Sequence, residues 1–262
     1  MIQILDDDEL IIIKTGTPIS GRVFLWSMMF YYRGLVIDCG CPNAAEDVYD
    51  ILKTLGDIKA VLVTHHHEDH VGCAYLFGRE GIPVYAHNKS LHILRDPPRI
   101  PEYRRIVWGQ PNAVDALPIA GEMEIGGIKI SVFEAPGHSD DHVVYLIDDL
   151  LFIGDLIGSV KPKIAFHRDD YAMILDSVKS ILLNLDFKKA YGGHVILTRD
   201  DVEMFVEYLE DLRMRIMSLR RKGFSTNDIA DLLWEEIPEK VYMMEAVSEG
   251  EWHRKYLVES LL

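Results

Sequence analysis

The chain has 262 residues, 48% of them hydrophobic, enough to bury a sizeable core and to exclude an intrinsically disordered polymer. Its 27 basic and 42 acidic side chains leave a formal charge of −15, which repels phosphate backbones at long range and argues against nucleic acid as a partner. Cys39, Cys41 and Cys73 are too few for a disulfide framework and suit a reducing, cytoplasmic compartment.

The opening MIQILDDDELIII lacks a cationic start, an apolar centre and a small-residue cleavage site, so it does not read as a signal peptide. The longest apolar run, residues 23–32, is about half of the roughly 20 residues that span a bilayer, and no membrane partner is expected. Residues 25–38 read as extended chain, and 43–55 as a helix with Val48, Ile51, Leu52 and Leu55 on one face; 59–64 is extended again. Such an alternation points to a sheet covered by helices. Residues 70–79 read as a short helix and 83–86 as a strand. From 95 to 118 the pattern fails: Pro97, Pro98, Pro101, Pro111 and Pro118 fall here, and a long binding loop or lid is expected. Strands resume at 128–134, 143–147 and 150–153, the last two joined by the Asp148-Asp149 turn. A helix follows over 171–185, with Lys189-Ala190-Tyr191 leading into Gly192-Gly193-His194. Beyond that the chain reads as helical, over 200–222, 229–236 and 251–261, with a capping-box-like start at Ser225.

The stretch VTHHHEDHVG, residues 63–72, concentrates four histidines and two acids. His65, His67, Asp69 and His70 directly follow one predicted strand. His138 in PGHS follows another, Asp155 in IGD a third and His194 a fourth. Strands deliver side chains to one rim of a sheet, and the glycines beside His138, Asp155 and His194 let the backbone turn there. Imidazole and carboxylate donors suit Zn, Fe, Mn or Ni, and five His with two Asp exceed what one tetrahedral ion uses, so two metals are expected. His66, His87, His92 and His253 read as ordinary polar side chains, and Arg213 to Lys222 as a solvated helix end.

These residues resemble the metallo-β-lactamase superfamily. Its HxHxDH motif stands as His65 to His70, its later ligands as His138, Asp155 and His194, and its N-terminal aspartate as Asp38. The resemblance covers about residues 20–200. It implies an α/β fold, a four-layer αβ/βα sandwich with the metals at one edge of the cleft. With it goes a catalytic domain over 1–198 and a C-terminal helical extension, 199–262, packed on it. It further implies that His65, His67 and His138 hold one divalent ion and Asp69, His70 and His194 the other, Asp155 bridging and Asp38 orienting a ligand. Zinc is the first expectation, iron or manganese the alternatives. Asp155 stands where true β-lactamases generally carry cysteine, which turns the reading away from antibiotics. His67 stands where flavodiiron oxidoreductases usually carry glutamate.

By that resemblance the chain is a binuclear hydrolase in which a metal-bridged hydroxide attacks an ester, thioester or lactone, with Asp69 and Asp155 catalytic. The 39-position step from Asp155 to His194 is similar to glyoxalase II, although no clear glutathione-binding motif follows. Two alternatives remain: a phosphodiesterase or ribonuclease, suggested by PGHSDDH, and an iron-dependent persulfide dioxygenase. A small-molecule substrate is expected to meet Tyr31, Trp108, His167 and Tyr171. Apolar stripes on the C-terminal helices leave a homodimer open.

Overall fold

The computed structural model describes residues 1–7 and 9–262. Among them a seven-stranded sheet takes Ile2–Asp7, Leu10–Thr15, Ser27–Tyr32, Leu35–Ile37, Ala60–Leu62, Val84–Ala86 and Leu117–Pro118 in spatial order. A six-stranded sheet takes Glu122–Ile125, Ile128–Glu134, Val143–Ile147, Leu150–Gly154, Lys189–Gly192 and Ile196–Thr198. The first sheet starts antiparallel and turns parallel from Leu35–Ile37 onward. Parallel neighbours need crossovers. Helix α1 (Ala45–Leu55) makes the first, α2 (Glu68–Val71) with α3 (Ala74–Arg79) the second, and α4 (Leu91–Arg95) with α5 (Glu102–Val107) the third. In the second sheet the one parallel pair, Leu150–Gly154 beside Lys189–Gly192, is spanned by α6 (Tyr171–Asn184). Helices α7 (Arg199–Arg221), α8 (Thr226–Leu233), α9 (Glu239–Val247) and α10 (Arg254–Ser260) follow.

Side-chain alternation along the strands sorts the molecule into four layers. Leu10, Ile12, Phe30, Leu35 and Ile37 face the second sheet and meet Ile130, Tyr145 and Phe152 between the sheets. Ile13, Met29, Val36 and Val61, one position out of phase, face outward and are covered by Val48 and Leu52 of α1 and Phe77 of α3. The outer face of the second sheet, Val144, Leu151 and Ala190, is covered by Ile174 and Val178 of α6 and by Phe205 and Leu209 of α7. Ile229 of α8 and Leu257 of α10 belong to that same cluster, so the helices after residue 198 complete the fourth layer through a shared core. This is the αβ/βα arrangement expected, with C-terminal helices added.

Several elements differ from the expectation. Residues 2–7 form an edge strand paired with a strand over 10–15, which in turn pairs with Ser27–Tyr32. The helix read over 70–79 is two short ones, because Gly72 packs against Gly40 and Cys41 so closely that a Cβ would collide with their backbone. There the amides of Gly72 and Cys73 bond to the carbonyls of Gly40 and Cys39 instead of continuing a helix. Segment 95–118 holds the six-residue α5 and a strand pairing onto Val84–Ala86. Helix α5 buries no residue fully and therefore has no hydropathy stripe to read. The final helix starts at Arg254, since Trp252–His253 is spent pairing with Ala165–Phe166. None of the described helices is long and apolar enough to cross a membrane.

Candidate metal centre

The parallel strands of the first sheet end where the second sheet's Val143–Ile147 and Leu150–Gly154 strands approach, and the predicted ligands project into that rim. The structure brings together all seven, in two groups: His65, His67 and His138, and Asp69, His70, Asp155 and His194. Within each group the donor atoms lie within 4.8 Å of one another. Asp155 stands between the groups: its Oδ1 is 3.2 Å from His70 Nε2, and its Oδ2 is 3.3 Å from His194 Nε2 and 3.7 Å from His138 Nε2.

Hydrogen bonds on the far side of four of the five rings decide which nitrogen faces inward, whereas His67 Nδ1 lies 2.9 Å from His138 Nε2. His70 Nδ1 donates to Asp38 Oδ2 at 2.8 Å, His138 Nδ1 to Asp169 Oδ1 at 2.9 Å, and His194 Nδ1 to the carbonyl of Trp26 at 2.7 Å. Thr64 Oγ1 has one proton, and both Asp38 oxygens lie within 3.0 Å of it; it therefore accepts from His65 Nδ1 at 3.1 Å. In each case the other ring nitrogen is left facing the centre. The Nε2 atoms of His65 and His70, Asp69 Oδ2 and Asp155 Oδ1 are buried and have no hydrogen-bond partner among the described residues. Buried polar atoms left unpaired cost about 1–3 kcal/mol each, and converging lone pairs without protons suit cations. The donor set therefore fits two divalent ions.

The electrostatics agree. Burial, and then the neighbouring imidazoles, holds His65 and His67 well below the usual histidine range, so both are neutral donors. Burial opposes charge on His194 and His70 too. There the carboxylate of Asp155, aided by Asp69 and by Asp38 at His70, wins and pushes His194 up to about 9 and His70 well above the ordinary value. Asp155 is held well below the carboxylate range despite its burial, by His194 and His70. The carboxylates are thus concentrated around the second group.

Asp38 is fully buried with φ at +57°, a strained conformation for a residue with a Cβ. That turn lets one carboxylate hold Thr64 and His70 together. His66 points away: Asp141 accepts from its amide at 2.9 Å and its ring at 2.8 Å, fixing the backbone between His65 and His67. Gly193 is compulsory, since a Cβ there would collide with Asp155 Oδ1.

A cleft of about 320 Å3 opens over the centre. Trp108 and Tyr171 line it. Tyr31 does not: strand alternation puts it with Met29 on the outer face, its hydroxyl directed at the Leu55 carbonyl 3.4 Å away. His167 is also elsewhere, exposed beside Tyr256 in the turn that follows the Ala165–Phe166 strand, while Phe166 lines the cleft. Sequence reasoning missed Asp169, Thr64, Asp141 and His142; the last accepts the Asp155 amide at Nε2, 3.1 Å away, and burial with His138 nearby holds it down at about 3. It also missed Arg104, which reaches Glu68 through Nε and Nη2 at 2.6 and 2.7 Å. Only the second histidine in PGHSDDH was available as a signal; the others are ordinary residues until the fold assembles them.

A four-layer sandwich with a histidine and aspartate centre at its rim defines the class, and comparison with known proteins agrees. The family model of the metallo-beta-lactamase superfamily matches residues 2–194. A probable metallo-hydrolase of Bacillus subtilis is 30% identical over 208 residues, covering 71% of this chain and 93% of its own. A hydroxyacylglutathione hydrolase of Rhodopseudomonas palustris is 29% identical over 220 residues, covering 80% and 78%. In structure, a metallo-beta-lactamase family protein from Thermus thermophilus superposes with a TM-score of 0.66 at 20% identity, covering 95% of this chain and 90% of that one. The chain belongs to the metallo-beta-lactamase superfamily and is an enzyme of it.

Proposed function

We propose that the chain is a binuclear metal-dependent hydrolase of esters, thioesters or lactones. The observation that carries this reading is the paired donor set: two groups of inward lone pairs with Asp155 between them. His65, His67 and His138 would hold one ion and Asp69, His70 and His194 the other, Asp155 serving both. Ions there would supply Lewis acidity and lower the pKa of a water toward neutrality.

The chain's own groups do the rest. Far-side hydrogen bonds keep the imidazoles from turning during turnover. Asp69 Oδ2, buried, unpartnered among the described residues and facing the cleft, takes the proton released by the attacking water and delivers it to the leaving group. A carbon–oxygen bond to water forms, the ester or thioester bond breaks, and the alcohol or thiol leaves protonated. Aromatic walls from Trp108 and Phe166 restrict bulk water in the cleft. Relatives named hydroxyacylglutathione hydrolases favour thioesters within this range.

The test is a panel of a thioester, a lactone, bis(p-nitrophenyl) phosphate and glutathione persulfide, assayed on protein of measured metal content. Thioester or lactone turnover at least a hundred-fold above the phosphodiester is expected. Oxygen uptake on the persulfide with one iron per chain would replace this reading with the dioxygenase, and dominant phosphodiester turnover with the phosphodiesterase.

A further inference from the structure

The cleft holds more cations than its partners neutralise. Four carboxylates line it, and each is engaged. Glu68 is paired with Arg104. Asp69 and Asp155 belong to the donor set. Asp169 is bonded to His138 and to the amide of Phe166. Arg104 is itself spent on Glu68 and on Glu251, 3.6 Å away.

Lys161, Lys163 and Lys240 remain. Among the described residues none of the three has a hydrogen-bond or ion-pair partner, in a chain with 15 more acids than bases. Lys240, on α9, is open to the cleft, yet the surrounding walls lower its pKa because they strip water from the ammonium. A second feature is independent of the lysines: Trp108 is only 6% exposed, lines the same cleft, and its indole N–H has no acceptor among the described residues. Buried indole donors ordinarily find one. Ile164, Phe166, Val241, Met244 and Trp252 supply apolar wall between these groups.

We propose that the cleft selects acyl substrates carrying an anionic head, a phosphate or carboxylate, received by Lys161, Lys163 and Lys240. This rests on the hydrolase reading for the word acyl, but the anion subsite stands on charge and donors alone. Two of the lysines come from the segment after the Leu150–Gly154 strand and one from α9, so the C-terminal helices contribute to selection. The substrate's apolar arm lies along the aromatic wall and its reacting carbonyl at the donor set.

Calorimetric titration of the zinc-loaded protein with hexyl phosphate, hexanoate and hexanol tests this without turnover. The three probes share an arm and differ in charge. Partly exposed ion pairs are each worth a factor of about 1.4 to 5, so replacing all three lysines by glutamine is expected to weaken hexyl phosphate by about three-fold to a hundred-fold. Hexanol should change less than two-fold, and the triple arginine variant should regain phosphate binding. A greater loss for phosphate than for hexanoate assigns a dianionic head, equal losses a carboxylate. Unchanged hexyl phosphate affinity in the glutamine variant, or an equal loss for hexanol, overturns the proposal. Thioester turnover persisting alongside that unchanged affinity would leave the hydrolase reading intact, so the two fail separately.

Discussion

Each candidate ligand histidine with a far-side bond faces a fixed partner there, which holds the other ring nitrogen toward the centre. Asp38 is the most connected, holding His70 directly and His65 through Thr64. Replacing it by asparagine removes the charge and one acceptor, and outer partners of this kind are worth about 10–100-fold in metal affinity. Asp38→Asn is therefore expected to lose zinc that much more readily in a chelator competition; unchanged affinity would remove Asp38 from the account. Asp141 gives a pH signature. Burial works against its ionisation, but His66 holds it down at about 2, against about 3.9 for a free aspartate. A depressed carboxyl contributes stability that is complete above the unfolded value and lost as pH falls through the folded one, here roughly 2 kcal/mol. Urea unfolding of Asp141→Asn should show that deficit at pH 6 and little of it near pH 2. The seven candidate ligands were legible because residue type and strand-end position coincide in the sequence. Asp169, Thr64 and Arg104 were not, since their roles depend on distances closed only by packing.

Among the elements, the short α5 binds two separated parts of the chain. Arg104 joins Glu68, between two ligands, to Glu251 near the C-terminus, and Tyr103 donates to Glu251 at 2.6 Å. Glu68 is 2% exposed, and burial raises its pKa even with Arg104 beside it. Removing one member of a buried pair strands the other, at a cost of about 3–5 kcal/mol. Arg104→Ala should destabilise by that amount in chemical unfolding, while Arg104→Met combined with Glu68→Met should recover most of it. Equal losses in both would assign the effect to packing. Strong stripes made α1, α6 and α7 readable from hydropathy. Helix α5 was hidden because ion pairs hold it, and the Ile2–Asp7 strand because it shows little alternation in burial. Tyr31 was misplaced by one strand phase, an error no composition argument can catch.

For the whole molecule, two sheets meet face to face, helices cover both outsides, and the rim collects donors from four strand ends. The sandwich was legible because motif order along the chain matches the superfamily, whereas the wall built by α9 and Trp252 was not, since it carries no motif. On the proposed function, two ions act together in one centre. Zinc titrated into chelated protein, with thioester hydrolysis followed at each addition, tests it most directly. Activity is predicted to rise to a plateau at two ions per chain; a plateau at one ion per chain, or full activity without metal, would contradict it.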